Sequence, residues 1–460
     1  MKILLYNWTP LNLKTIGGGV GVYLQNIIDS LVMHNNLNIQ IYFLSSGFFY
    51  DNSYITHIRK EKLPIDINVF SIVNSPIVAP LQNSSCEISS VYKDNTLYNI
   101  FYSFIKEYGP FDVVHFESIE GISTNVFKLK EIFPKTKFYH SIHDYGFICP
   151  DVKLWNNNEN CLFSERKFRC KECLKNSLVY STKDIIHRLP SNYSDVHIKK
   201  HFTFIMKRKH EFKRFFKIGY PSNDEFNKFR QNNIQMINKY CDGELCVSKR
   251  VADIAIEAGI SKNKVLVDYI GTKAANNVLN RCRTNPNSSV FTILYMGYEC
   301  IEKGFYLYLH ALETMDDESK NIILKFASKI KNIETRNRLI ELKKKFKDVV
   351  IYDGYTHNDF PVIMEDVNLG IVPPLWEDNL PQVAIEMISN GIPVLTSMNG
   401  GAKELNSHVM FRFQTEKDLL EKIEKINSNR YLLTEYWNYA HKLTSMDVHI
   451  TNLIKIYNKS

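Results

Sequence analysis

The sequence predicts an α/β protein of two doubly wound parallel sheets that face each other across a cleft. Apolar runs of strand length alternate with helical patterns over most of the 460 residues, an order typical of parallel sheets covered by helices. A polar stretch, RCRTNPNSS (281–289), interrupts this alternation, and a second series of the same kind follows it. The length is also too great for one ordinary domain and suits two.

Each predicted element has its place in this order. The first domain is expected over 1–280, with an insertion and a basic helix over 145–240, and the second over 290–430. A last helix over 431–457 is expected to pack back across the domain junction, as a segment covering 431–460. The strands predicted in the first domain are 2–7, 38–44, 112–118, 137–144, 243–248 and 264–270, with helices at 20–31, 97–106 and 249–258. The strands predicted in the second are 291–297, 321–327, 348–354, 368–374 and 392–397.

Composition predicts a soluble, cytoplasmic protein. The chain is 44% hydrophobic and 23% charged, and no run approaches the ~18 apolar residues that a membrane-spanning helix needs. The opening MKILLYNWTP breaks too early for a signal peptide and is interpreted as a first strand. Nine cysteines in a chain of this length are not a secreted disulfide framework.

The net charge of +8 is concentrated in 197–218, where eight lysines and arginines accompany one glutamate. One local basic face argues against a general nucleic-acid binder. Within this segment Phe202, Ile205, Phe212 and Phe216 recur at helical spacing. Such a helix either lies on an anionic membrane surface, here the inner face of the membrane, or packs its apolar stripe on its own domain; the second interpretation is preferred.

Ligands of doubly wound sheets bind at the loops after strands, and two such loops stand out in the second domain. In WEDNLPQVAIEMISNGIPVLT (376–396), Asp378 and Glu386 flank a predicted helix start whose free amides can bind an anion or sugar hydroxyls. Alternatively, Asp378 caps that helix and Glu386 is a solvated flank residue. In YECIEKG, Lys303 and Gly304 precede another helix, where a lysine beside free amides suits a diphosphate, although a plain surface lysine is equally consistent.

The first domain has two further loops of this kind. TIGGGVGVYLQ places Gly18 and Gly19 before the first helix, but the pattern is not GxGxxG, so a nicotinamide dinucleotide site is poorly supported. HSIHDYGFICP places His143 at the end of a strand. Four cysteines begin there and either hold a structural zinc ion or are free thiols; they are Cys149, Cys161, Cys170 and Cys173.

Taken together, these loops resemble those of retaining glycosyltransferases of family 4, which have the GT-B fold of two facing Rossmann-like domains. The resemblance covers nearly the whole chain, and its most specific element is EDNLPQVAIEMISNGIPVLTSMNGGAKE (377–404). It implies that Asp378 faces the donor sugar and that Glu386 bonds the ribose hydroxyls. Glu377 is close enough to share the first role, and the amides beside the sugar are those of Asn379 and Leu380.

The resemblance also gives roles to the other loops. In GYECIEKG (297–304), Lys303 matches the lysine on the donor diphosphate, and Tyr298 stands where the family has an arginine. In HDYGFICP, His143 matches the histidine that contacts the donor sugar near the reacting carbon. GGGVG (17–21), which includes Gly18 and Gly19, matches the glycine loop near the phosphates and the acceptor.

The implied activity is sugar transfer from a nucleotide sugar to a glycan, a lipid-linked glycan or another hydroxyl acceptor, in surface polysaccharide or glycoconjugate synthesis. The implied chemistry retains the anomeric configuration and needs no cofactor or metal. An alternative is a non-catalytic nucleotide-sugar-binding or partner subunit, motivated by Tyr298 and Asp378. A zinc-dependent nucleic-acid module, motivated by the cysteines and the basic helix, is the least favoured interpretation.

Overall fold

The structure is a computed structural model, and it describes residues 1–11, 18–33, 39–51, 53–80, 88–156, 159–161, 170–174, 221–277, 289–315 and 317–459. Within these residues one mostly parallel and one fully parallel α/β sheet are present, which confirms the predicted fold class. The basic segment 197–218 lies outside the described residues.

The first sheet is built around the N-terminal strand. In the described part of the chain the strands up to residue 277 are β1 (Lys2–Tyr6), β2 (Gln40–Phe49), β3 (His57–Glu61), β4 (Asn68–Val73), β5 (Val113–Phe116), β6 (Lys137–Ile142), β7 (Trp155–Asn156), β8 (Glu159–Asn160), β9 (Gly243–Cys246) and β10 (Val265–Val267). All except the β7–β8 hairpin form one sheet in the order β10-β9-β6-β5-β1-β2-β4-β3. Only the edge pair β3–β4 is antiparallel among the described pairs of this sheet. β9 pairs directly with β6, and the described residues between these two strands, called the excursion below, lie outside this sheet.

The second sheet is entirely parallel. Its strands are β11 (Phe291–Met296), β12 (Ile322–Ala327), β13 (Asp348–Tyr352), β14 (Leu369–Val372), β15 (Val394–Ser397) and β16 (Arg412–Phe413). They lie in the order β13-β12-β11-β14-β15-β16. Every residue of β11 and β14 is buried, as expected for strands covered by helices on both faces.

Helices connect and cover both sheets. The described helices of the first domain are α1 (Gly18–Met33), α2 (Ile88–Lys93), α3 (Thr96–Tyr108), α4 (Cys170–Leu174), α5 (Asn223–Tyr240) and α6 (Lys249–Glu257). Those that follow are α7 (Phe305–Thr314), α8 (Ile333–Glu341), α9 (Phe360–Ile363), α10 (Gln382–Ser389), α11 (Glu416–Ser428), α12 (Tyr431–Tyr439) and α13 (Met446–Asn458).

The prediction of a single helix over 431–457 is wrong, because this segment forms two helices, α12 and α13. Between them the chain is extended from Ala440, and Thr444 O accepts a hydrogen bond from Thr272 N of the first domain. The Ser445 side chain then caps α13 by accepting from Val448 N at 3.3 Å. Helical spacing continues through this crossing, but tertiary pairing and a new cap interrupt the helix.

After the crossing, α13 packs on the first domain. The hydroxyl of Tyr457 lies 2.6 Å from His115 Nδ1 on β5, and His449 Nε2 lies 2.7 Å from the hydroxyl of Tyr23 on α1. His115, His449 and both tyrosines are buried. The C-terminal helix therefore ties the end of the chain to the helix that begins at the glycine loop.

Candidate active site

The switch points of both sheets are next to the space between the domains. In the first sheet β1 lies between β2 and β5, and in the second β11 lies between β12 and β14. The chain order reverses at each of these central strands, and ligands of open α/β sheets bind at such points. The loops after β1, β6, β11 and β14 carry most of the residues selected from the sequence.

Two polar contacts show that these loops face each other. Gln382, the first residue of α10, donates its Nε2 to the Gly19 carbonyl at 3.0 Å. Lys153 Nζ lies 2.8 Å from Glu302 Oε1 in the loop after β11. Gly19 is exposed, and Gly18 is the first residue of α1. The glycine loop predicted near the phosphates thus reaches the start of the helix that carries Glu386.

Glu377 makes a bidentate ion pair between the domains. Arg250 of α6 donates two hydrogen bonds to Glu377, from Nε to Oε2 and from Nη2 to Oε1, both at 2.9 Å. Glu377 Oε2 also accepts from Gly400 N at 3.0 Å, and the residue is 5% exposed. Glu404 adds a second link, since it accepts from the backbone amide of Arg250 at 2.7 Å and from the Tyr269 hydroxyl at 2.6 Å. Both oxygens of Glu377 are therefore engaged in holding the domains together.

Asp378 instead faces Lys303. Its Oδ2 lies 2.6 Å from Lys303 Nζ, which is also 4.9 Å from the centroid of the Trp376 ring. The Asp378 side chain is 8% exposed and that of Lys303 is 32% exposed, so the cation is the more accessible partner. The two residues come from the loops after β11 and β14, which are neighbouring strands. A lysine that can exchange a carboxylate for a phosphate oxygen is thus placed at the switch point.

Gly304 allows these two loops to approach so closely. Its φ is +74°, and a Cβ there would lie 1.8 Å from the Pro373 carbonyl oxygen. No other residue type fits this position without moving the backbone of one loop. The glycine therefore sets the separation between Lys303 and the segment that carries Asp378.

Asn379 is a buried side chain without a partner. It is 5% exposed, and neither its Oδ1 nor its Nδ2 bonds to any of the residues that the structure describes. Buried polar groups are nearly always hydrogen-bonded, and an unpaired carboxamide costs roughly 1–3 kcal/mol. Leu380, the next residue, is also buried at 8% exposed. The loop between Asp378 and α10 is consequently set up for a polar ligand.

Glu386 is paired with a histidine. His357 Nε2 lies 3.0 Å from Glu386 Oε1, and the histidine side chain is 61% exposed while that of Glu386 is 11% exposed. The hydrogen bond to Glu386 raises the pKa of His357, against a smaller opposing effect of burial. The carboxylate predicted to hold ribose hydroxyls therefore has one accessible partner that can be displaced.

His143 is fixed by the first domain. Its Nε2 lies 2.9 Å from Glu117 Oε2, in the loop after β5, and its ring centroid lies 4.7 Å from that of Tyr23. Burial disfavours the charged form of Glu117, but His115 and His143 together outweigh it and lower its pKa to about 2. Glu117 is therefore a carboxylate and an acceptor, and it orients the histidine that the sequence selected.

Tyr298 lies at the position where the resemblance expects an arginine. Its side chain is 66% exposed, and its carbonyl accepts a hydrogen bond from the Tyr295 hydroxyl at 3.0 Å. In the same loop, Glu302 pairs with Lys153 of the first domain at 2.8 Å. Lys303 is thus the cation of this loop that contacts Asp378.

The four cysteines considered as zinc ligands line one small cavity. Cys149, Cys161, Cys170 and Cys173 line a space of about 20 Å³ in the excursion between β6 and β9. None of the four forms a disulfide bond. Among the residues that the structure describes, no three histidine, cysteine or acidic side chains are already arranged as a metal site.

Sequence reasoning missed the residues that position the selected ones. These are Glu117, Arg250, His357, Trp376 and Gln382. A signal existed for Glu117, which directly follows a predicted strand at the sheet edge. None existed for the others, because each acts on a residue that is distant in the sequence.

No helix of the described residues is long and apolar enough to span a membrane.

Comparisons with known proteins agree with this geometry. Residues 280–443 match the family model of Glycosyl transferases group 1. No curated protein matches the chain significantly by sequence.

Several solved structures resemble the whole chain. Anabaena Alr3699/HepE in complex with UDP has a TM-score of 0.57 at 12% identity, with 99% of each chain covered. Sucrose-phosphate synthase from Thermosynechococcus elongatus has a TM-score of 0.57 at 14% identity, with 99% of this chain and 98% of that chain covered. The apo form of the lipopolysaccharide outer core galactosyltransferase WaaB gives 0.54 at 13% identity, with 99% and 98% covered. At these identities the likeness shows the fold. A group 1 glycosyl transferase segment, in a chain that has this two-domain fold throughout, identifies the protein as a glycosyltransferase of the GT-B fold, with which family 4 is consistent.

Proposed function

We propose that the protein is a retaining glycosyltransferase that needs no metal for catalysis and uses a nucleotide-diphosphate sugar as donor. The observation that carries this proposal is the 2.6 Å pair of Lys303 and Asp378 at the switch point of the second sheet. It combines one accessible cation with one buried carboxylate, which suits a diphosphate beside a sugar. The similar HepE structure contains UDP, which supports a donor of this class.

Each of these residues has a separate role in the proposed reaction. Lys303 leaves Asp378 and stabilises the charge that develops on the leaving diphosphate, together with the first-turn amides of α7 and α10. Asp378 and the unpaired carboxamide of Asn379 bond hydroxyls of the donor sugar. Glu386 exchanges His357 for the ribose hydroxyls. His143, held by Glu117, contacts the sugar near the reacting carbon.

The acceptor is expected on the side of the first domain, next to Gly18 and Gly19. We propose a glycan or lipid-linked glycan, as in the synthesis of a surface polysaccharide or glycoconjugate. Closure of the two domains around the donor would exclude the water that could hydrolyse it. The basic segment 197–218 would provide a peripheral membrane contact for a lipid-linked acceptor. Liposome binding that is unchanged after its lysines and arginines are neutralised would remove that contact from the proposal.

Calorimetric titration with UDP, GDP, dTDP and CMP tests the donor site. One nucleoside diphosphate should bind, and Lys303→Ala should weaken it about 10- to 100-fold, the loss of one charge-assisted hydrogen bond. Lys417→Ala is the matched control, because Lys417 is 87% exposed on α11. Equal affinities of the two variants would contradict the assigned role of Lys303.

Turnover tests the chemistry. The matching nucleotide sugar should be consumed with an acceptor in buffer without added divalent cation, as fast as with Mg²⁺ or Mn²⁺. Nuclear magnetic resonance of the product should show the anomeric configuration of the donor. Inversion would overturn the retaining mechanism, and donor binding without turnover would favour the partner-subunit alternative.

A further inference from the structure

We propose that Cys149, Cys161, Cys170 and Cys173 bind one structural zinc ion. This site lies in the excursion between β6 and β9 and has no part in the donor chemistry. It is therefore independent of the proposed function.

The ligand set comes from three places that the fold brings together. Cys149 follows β6, Cys161 follows β8, and Cys170 and Cys173 lie three positions apart on α4, hence on one helix face. All four line the same cavity of about 20 Å³. A set of four thiolates with one C-x-x-C pair is a usual tetrahedral zinc environment, with Zn–S distances of about 2.3 Å.

The described elements around the cavity are short. β7 and β8 have two residues each, and α4 has five. Hairpins and helices this short are marginal in water. Structural zinc supplies the folding free energy that such units lack. The position of β8 also matters for the contact between the domains, because the Asn160 side chain donates a hydrogen bond to the Leu375 carbonyl of the second domain at 3.1 Å.

A buried arginine near the site would compensate part of the negative charge of a zinc ion with four thiolates. Zinc with four thiolates carries a net charge of −2. Arg230 of α5 is 5% exposed and donates Nη2 to Cys170 Sγ, while its Nε donates to the Ile148 carbonyl at 2.7 Å. The guanidinium group of Arg230 therefore places a positive charge directly beside one of the four sulfur atoms.

Because no complete metal group is already arranged among the described residues, zinc binding would draw the β8 end and α4 inward onto the cavity. The four thiols would lose their protons in that step, and the released protons go to solvent.

The test is the metal content of the full chain, purified without chelator and measured by inductively coupled plasma mass spectrometry. We expect about one zinc ion per chain. Co²⁺ loaded in its place should give the absorption bands of a tetrahedral thiolate site. Zinc content should fall to near zero in Cys161→Ser and in Cys173→Ser. It should be unchanged in Cys300→Ser, a matched control because Cys300 is another partly buried free thiol outside the cavity.

Three results would overturn the proposal. They are wild-type protein without zinc and with reactive thiols, a Cys170–Cys173 disulfide in zinc-free protein, and zinc that survives both cavity substitutions. The wild-type measurement does not depend on whether a variant folds. It also does not depend on turnover, so failure here leaves the donor site untouched.

Discussion

Arg250 of the first domain and Glu377 of the second form an ion pair through two parallel hydrogen bonds, both 2.9 Å long. The side chains are 15% and 6% exposed. Because Glu377 is committed to this pair, Asp378 is the acid that remains to face Lys303. Two adjacent acids in one loop thus have different tasks, one structural and one directed at the ligand.

Arg250→Ala should destabilise the protein by about 3 kcal/mol, because it leaves Glu377 buried without its charge partner. The double variant Arg250→Ala/Glu377→Gln should regain part of this loss, since the second change removes the unpaired charge. Urea unfolding measures both. Arg336→Ala is the control, because its pair with Asp353 is exposed and worth at most about 1 kcal/mol. An Arg250→Ala protein as stable as this control would contradict the prediction.

Gly304→Ala should abolish donor binding, because its Cβ would displace the Pro373 backbone and separate Lys303 from Asp378. Gly354→Ala is a matched control. Gly354 also has a positive φ, +88°, but a Cβ there meets nothing within 4 Å, so only the backbone strain of roughly 1–2 kcal/mol remains. Titration with the nucleoside diphosphate should therefore separate the two variants, and equal affinities would show that loop spacing does not matter.

Donor affinity should increase with pH through the titration of His357. Pairing with Glu386 raises the pKa of His357 above its usual 6.5, so the ion pair is fully formed below that value and is lost as pH rises through the raised pKa. Protonated His357 competes with the ribose for Glu386, so deprotonation favours the donor. We expect a gain of about two- to fivefold, the worth of an exposed pair.

Titrations of the wild type and of His357→Gln at about pH 6 and about pH 8.5 measure this effect. The diphosphate titrates equally with both proteins, so its own contribution cancels in the comparison. Identical pH dependence in the two proteins would show that His357 does not compete for Glu386.

The sequence predicted most strands of both sheets and the positions of the ligand loops, but not β3, β4 and β16. Buried strands such as β11 are continuous apolar runs, and helix starts after them, as at Gly304, carry visible glycine and proline signals. It was not sufficient for α12 and α13, because helical periodicity continues through 440–445 while the interruption depends on Thr272 of another element. A contact that is made across the fold leaves no local pattern.

The same limit applies to the site. Lys303, Asp378 and Glu386 were selected because each stands beside a helix start that the sequence shows. Arg250 was not, since its partner Glu377 is 127 positions away. Residues that face the cleft can be selected from the sequence because they often follow a predicted strand. Residues that position them are recognised only once the three-dimensional contacts are known.

Glu117→Gln should lower kcat roughly tenfold to hundredfold with little change in KM, by analogy with carboxylates that orient metal-bound histidines. The Glu117 carboxylate accepts from His143 Nε2, so it fixes the tautomer that leaves Nδ1 as an acceptor. A glutamine amide can donate instead and would allow the other tautomer. The pH profile of kcat should shift as well, which a purely structural role would not cause.

Glu244→Gln is the matched control for this prediction. Glu244 and His140 form another buried carboxylate–histidine pair, at 2.7 Å with 0% and 3% exposed side chains, but on the neighbouring strands β9 and β6. It should lose comparable stability, measured by thermal unfolding, while kcat and its pH profile stay as in the wild type. If both glutamine variants lowered kcat equally, the effect of Glu117 would be one of general stability, and His143 would need no specific orientation for sugar transfer.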